Sequence, residues 1–262
     1  MIDTARRATM KDKSAFRSLP VGTTVPDRRR FEHWFFSGMS LLILATIYYG
    51  FARSYFLAGM FHAHLPNVLI HVHAAIFTGW IFLLVAQTTL VAAGQVRWHR
   101  RLGVAGFCLA CAMVIVGSVV ATESMLRGGP PGFDPLAFYY NLLSTVLIGF
   151  PLLVYLAFRY RFNPPAHKRL ILIATLVLVD AGIIRWPIRW VAESSLMTSA
   201  VVYSFLLLII VYDLWSTRKV HPATLWGGVF LVLFRETEGL IGGTRMWHLF
   251  AGWLLHFWQH GR

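Results

Sequence analysis

Residues 68–124 read VLIHVHAAIFTGWIFLLVAQTTLVAAGQVRWHRRLGVAGFCLACAMVIVGSVVATES, and this stretch decides the fold class. It holds two apolar runs, about 68–93 and 102–124. Each is as long as the roughly 20 helical residues needed to cross a hydrocarbon layer about 30 Å thick. Between them stand Gly94, Arg97, Arg100 and Arg101. Glycine just past a helix and positive charge in a short loop are the marks of a membrane hairpin turning on the cytoplasmic side. Working outward, further runs occur at about 34–56, 138–158, 169–188, 196–215 and 224–241. The turns Gly128-Gly129-Pro130-Pro131-Gly132 and Asn163-Pro164-Pro165 separate the neighbouring runs. The sequence predicts an all-α fold, a polytopic transmembrane helix bundle of six to seven spans. The seventh run sets the count, because Arg235, Glu236 and Glu238 lie in its outer half and each costs roughly 2.5–3.5 kcal/mol at a helix centre.

Composition agrees. Of the 262 residues, 57% are apolar and 13% charged, the latter about half the share usual in a soluble domain. The formal charge of +13 would fit a nucleic-acid partner, but seventeen of the 24 Lys and Arg lie in the N-terminal tail and in loops on one side of the bundle. That distribution is topology, so the expected partner is a lipid bilayer and not nucleic acid, with the N-terminus cytoplasmic. Residues 1–32 read as a disordered basic cytoplasmic tail, 33–243 as the helix bundle, and 244–262 as an amphipathic segment. The first apolar run starts only at Trp34, which does not fit a cleaved signal peptide. Cys108 and Cys111 sit inside one apolar helix and read as small hydrophobes.

Chemistry is expected at the two ends. His62, His64, His71 and His73 lie on the outer side, and His99, His167 and His221 on the inner side. Positions two apart on a helix point roughly 200° apart, so His71 and His73 serve one ligand only with help. An outer metal site would use His71, His73 and His248; the bland alternative is interfacial histidines wetted by headgroups. His99 and His167 open two different helices at equal depth, the minimum for bis-imidazole ligation of a b-type haem. From His99, the stripe Gly103, Gly106, Ala110 and Gly117 offers either close helix packing or room for a flat macrocycle. Asp180 lies about eleven residues into its span with no Lys or Arg at helical-neighbour spacing. It reads as a proton-exchanging group or as a protonated carboxyl bonded to a neighbouring helix. Arg185 and Arg189, near the outer end, are expected to snorkel toward headgroups.

Several stretches together resemble a group of uncharacterised bacterial multi-pass membrane proteins. They are His71-Val72-His73 with Trp80 and Gln87, His99-Arg100-Arg101-Leu102-Gly103, His167-Lys168-Arg169-Leu170 with Arg185-Trp186-Pro187, and Asp213-Leu214 with His221-Pro222. The resemblance implies a bacterial cytoplasmic (inner) membrane and brings no activity with it. Histidines at opposed helix ends also look like those of cytochrome b561-type and ferric-reductase-type haem proteins, a likeness of architecture alone. The leading expectation is a histidine-bound haem b or transition metal with a transmembrane redox role and a redox partner. The alternatives are a proton-coupled transporter or channel-like protein using Asp180, and a non-catalytic membrane assembly or interaction protein.

Overall fold

The computed structural model describes residues 25–62, 67–128 and 134–260. Eight helices order them. Helix α1 (Val25–Phe51) runs on into a π-helical turn, Ala52–Phe56; α2 is Val68–Ala92 and α3 is Val96–Leu126. Helix α4 (Pro135–Arg159) is interrupted by a second π-helical turn, Thr145–Gly149. Then come α5 (Pro164–Ile183), a single turn at Arg189–Ala192, α6 (Ser195–Thr217), α7 (Pro222–Gly242) and α8 (Arg245–His260).

The turn signals in the sequence act as caps. Side chains of Asn67, Asp134, Asn163 and Ser194 accept backbone N–H groups at the starts of α2, α4, α5 and α6, and Pro135 and Pro164 occupy the first helical position. His221 caps α7 through Nδ1, which accepts from the Ala223 N–H at 3.0 Å. Burial, with the nearby Arg169 charge, holds His221 below its ordinary pKa and keeps it the neutral acceptor this bond needs. Helix α1 begins at Val25, inside the stretch expected to be tail, because Pro26 is tolerated in a first helical turn. The remaining tail, residues 1–24, lies outside the described residues, as does His64.

Five helices, α1 to α4 and α6, are long and apolar enough to cross a membrane. Helices α5 and α7 have 20 and 21 residues, about 30 Å at 1.5 Å per residue, but carry charged side chains. Helix α5 is the axis of the bundle. It packs against α1, α4, α6 and α7. Leu172, Ile173, Ala174, Thr175, Val179 and Ile183 are all fully buried on it, as expected of a helix apolar on every side between its charged ends. The bundle's outside is apolar too, with Trp34, Phe82, Ile115 and Leu207 exposed, and so are Cys108 and Cys111. In water such a surface would be an aggregation hazard; in lipid it is the ordinary one.

Helices α1 and α5 meet through glycine. A Cβ on Gly50 would lie 2.1 Å from the Gly182 carbonyl oxygen, so no larger residue fits that crossing. The stripe on α3 serves the same end. A Cβ on Gly106 would meet Leu83 at 2.8 Å, and one on Gly117 would meet Val146 at 2.9 Å and Phe77 at 3.2 Å. Side chains of α2 and α4 pack closely on this face at Gly106 and Gly117.

Candidate functional site

The half of the bundle away from His99 and His167 encloses a cavity of about 800 Å³, within the range of small-molecule sites. All seven long helices line it. At mid-bundle lies a buried layer, where the Trp80 indole N–H donates to Thr175 Oγ1 at 3.2 Å and Phe150 meets Trp80 edge-on at 5.1 Å. Both π-helical turns border the cavity, through Tyr55 and Phe56 from one and Thr145 and Val146 from the other. Such turns shift the following helix out of register and recur at functional sites.

The wall carries charge. Glu238 on α7 is buried at 6% exposure; it accepts from Asn141 Nδ2 at 2.5 Å, Ser144 Oγ at 3.1 Å and Thr145 Oγ1 at 3.3 Å. All three donors are neutral, and their i, i+3, i+4 spacing places them on one face of α4. One turn away, Arg235 donates to Asp180 at 2.8 Å, to Ser199 Oγ at 2.8 Å and to Thr198 Oγ1 at 3.1 Å, tying α7 to α5 and α6. Glu236 accepts from the Tyr203 hydroxyl at 2.5 Å. The three charges that make the seventh run unfavourable as a lone span are thus each met by another helix.

This corrects the reading of Asp180, which is not an isolated carboxyl but half of an ion pair whose cation comes from a helix distant in sequence. Arg185, exposed just past the end of α5, lines the cavity, donates to the Ala181 carbonyl at 2.5 Å and lies over the Phe51 ring at 4.7 Å. His73 also lines the cavity, stacked on Phe77 at 4.1 Å. The outer metal site is not assembled. His71 pairs with the Tyr55 hydroxyl at 2.9 Å, and His248 Nε2 bonds the Gly242 carbonyl at 3.0 Å beside Asp134. Among the described residues no three His, Cys, Asp or Glu gather as a metal site. The cause is helical geometry, which turns His71 and His73 to different faces.

At the opposite, basic end, His99 and His167 are brought together, their ring centroids 6.3 Å apart and their planes nearly perpendicular. His167 Nδ1 bonds the Ala157 carbonyl at 2.8 Å, which leaves its Nε2 free. Among the described residues, four buried side-chain atoms have no hydrogen-bond partner: His99 Nδ1, Gln87 Oε1, His73 Nδ1 and Ser37 Oγ. Orphaned buried polar atoms are rare and call for an explanation such as a ligand, ion or water.

Beside this pair a clasp joins α5, α6 and α7. Asp213, fully buried, accepts from Arg169 Nε at 2.9 Å and from Arg169 Nη2, from Thr224 Oγ1 at 2.6 Å and from the His221 N–H at 3.0 Å. Lys168 pairs with Glu32 of α1. Comparison with family models, with curated proteins and with solved structures finds no match. The site therefore rests on its own chemistry.

Proposed function

We propose that the protein is an integral membrane protein of seven spans that admits a ligand from the non-cytoplasmic side into its cavity, in the manner of a transporter or channel-like protein. The positive-inside count supports placing the basic end in the cytoplasm, and hence the cavity on the other side. The observation that carries the reading is the cavity itself, with Glu238, the Asp180–Arg235 pair and Arg185 on its wall. Ionisable groups at membrane depth face bundle interiors or water-filled paths and mark routes for ions and protons. Glu238 is the group best placed to exchange a proton during passage, because neutral donors hold it and no cation lies within ion-pair distance among the described residues.

Accessibility tests this reading. In a Cys108→Ser, Cys111→Ser background, Thr78→Cys on the cavity wall should react in intact cells with a membrane-impermeant maleimide added outside. Labelling only after the membrane is opened would reverse the orientation, and no labelling in either case would remove the aqueous cavity.

The meeting of His99 and His167 favours a second reading, a transition-metal site with a redox role. Close packing at Gly106 and Gly117 favours an ion over a haem along the glycine stripe. A single ion needs no flat face, and imidazole nitrogens bind at about 2.0–2.1 Å in zinc sites. His167 Nε2, His99 and the Gln87 carbonyl oxygen would supply the ligands. Purified protein should then hold copper, iron or zinc, and His99→Ala and His167→Ala should each lose it without impairing insertion. Equal metal content in variants and wild type would remove the inner site.

A further inference from the structure

The geometry points to an anion-binding subsite in the cavity, formed by Arg185 and His73, that takes the carboxylate or phosphate headgroup of a single-chain lipid. The inference rests on the cavity reading above and names its ligand class.

Arg185 is the starting point. Its side chain is exposed and lines the cavity. A guanidinium carries five N–H donors. Of these, one goes to the Ala181 carbonyl, and the group rests on the face of Phe51. Among the described residues no carboxylate lies within ion-pair distance of it. Its nearest acid, Asp180, is already taken by Arg235. A guanidinium on a cavity wall with unused N–H donors and no carboxylate beside it is a ready partner for an oxyanion.

His73 adds the second observation. It lies within electrostatic reach of Arg185 and lines the same cavity, and its Nδ1 is buried with no partner. A neutral imidazole offers one N–H, so His73 and Arg185 together present donors of the kind that bind an oxyanion. The rest of the ligand is read from the other walls. Phe51, Phe56, Phe77, Phe138 and Phe234 line the cavity, and aromatic walls fit an apolar chain better than a hydrated inorganic ion. Glu238, with its neutral donors, stands on the same wall as the group that would change charge as the anion moves.

The test uses full-length protein purified in mild detergent and a palmitate analogue with a photoreactive diazirine on its chain. Light should attach the analogue to peptides containing Phe51 or Phe77, and excess palmitate should prevent this. Charge-assisted hydrogen bonds are worth about 1.5–3 kcal/mol, so Arg185→Gln should raise the palmitate needed roughly ten- to hundredfold. Arg185→Lys, which keeps the charge, should stay within a few-fold of wild type. Methyl palmitate has the same chain without the charge; if it competes as well as palmitate, the anion subsite is wrong. Sodium phosphate and acetate distinguish the sources, and competition by either at palmitate's concentration would overturn the lipid and leave a free aqueous anion. If Thr78→Cys is labelled from outside but the analogue does not attach, this inference fails while the cavity reading stands. If Thr78→Cys stays unlabelled, the cavity reading itself fails.

Discussion

Arg169→Met is expected to leave little folded protein, because it strands a carboxylate at the centre of the clasp. Arg169 and Asp213 have side-chain exposures of 4% and 0%. Removing one partner of a buried ion pair costs about 3–5 kcal/mol, since the remaining charge stays in low dielectric without compensation. Against a typical total stability of about 5–15 kcal/mol, that is about a fifth or more. Asp213 also accepts from Thr224 and from the His221 N–H, and Arg169 Nη1 donates to the Pro165 carbonyl at 2.7 Å, so the loss loosens α5, α6 and α7 together. The double variant Arg169→Met, Asp213→Leu removes both charges and should recover part of the deficit. It cannot recover all, as Thr224 and His221 then lose their acceptor. Thermal melting followed by monodisperse elution in detergent measures both. A single variant that melts within a few degrees of wild type would show that the clasp does not hold the bundle.

This clasp also explains why scattered motifs in the sequence belong together. Arg169, Asp213 and His221 lie far apart in the chain, yet the fold makes one hydrogen-bonded unit of them. The helices themselves were legible, because a span announces itself by a run of apolar residues and its ends by Pro, Gly, Asn and positive charge. The meeting of His99 and His167 was legible for the same reason, since equal depth on two spans can be counted from the ends. The cavity was not. Its wall depends on which helix faces which, and the helices here are apolar on most sides, so periodicity does not single out an inner face. The π-helical turn at Thr145–Gly149 leaves no mark in composition either, yet it borders the cavity. One signal was available and unread. Asp180 lies sixteen residues from the start of α5 and Arg235 thirteen from the start of α7, and both helices leave the basic end, so opposite charges stand at nearly one depth.

That pair carries the other large expected effect. Its side chains are 23% exposed for Asp180 and 13% for Arg235, which makes it less buried than the clasp, and one face of it is open to the cavity. The two single replacements should differ. Arg235→Gln leaves a carboxyl that escapes its charge by taking up a proton, whereas Asp180→Asn leaves a guanidinium that cannot give one up. Asp180→Asn should therefore cost more, about 2–3 kcal/mol, with Thr198 and Ser199 offering only neutral acceptors to the stranded cation. The double variant Asp180→Asn, Arg235→Gln should be more stable than the sum of the singles by about 1.5 kcal/mol or more, the coupling of a close charge pair. Unfolding in dodecyl sulfate, run as a double-mutant cycle, measures this. The cavity supplies an independent readout, because Arg235 ties α7 to α5 and α6. Thr78→Cys should react faster with the outside maleimide when the tie is cut by either single variant. Additivity within about 0.5 kcal/mol, together with unchanged labelling, would mean that Asp180 and Arg235 are neighbours on the wall and not the lock that shapes it.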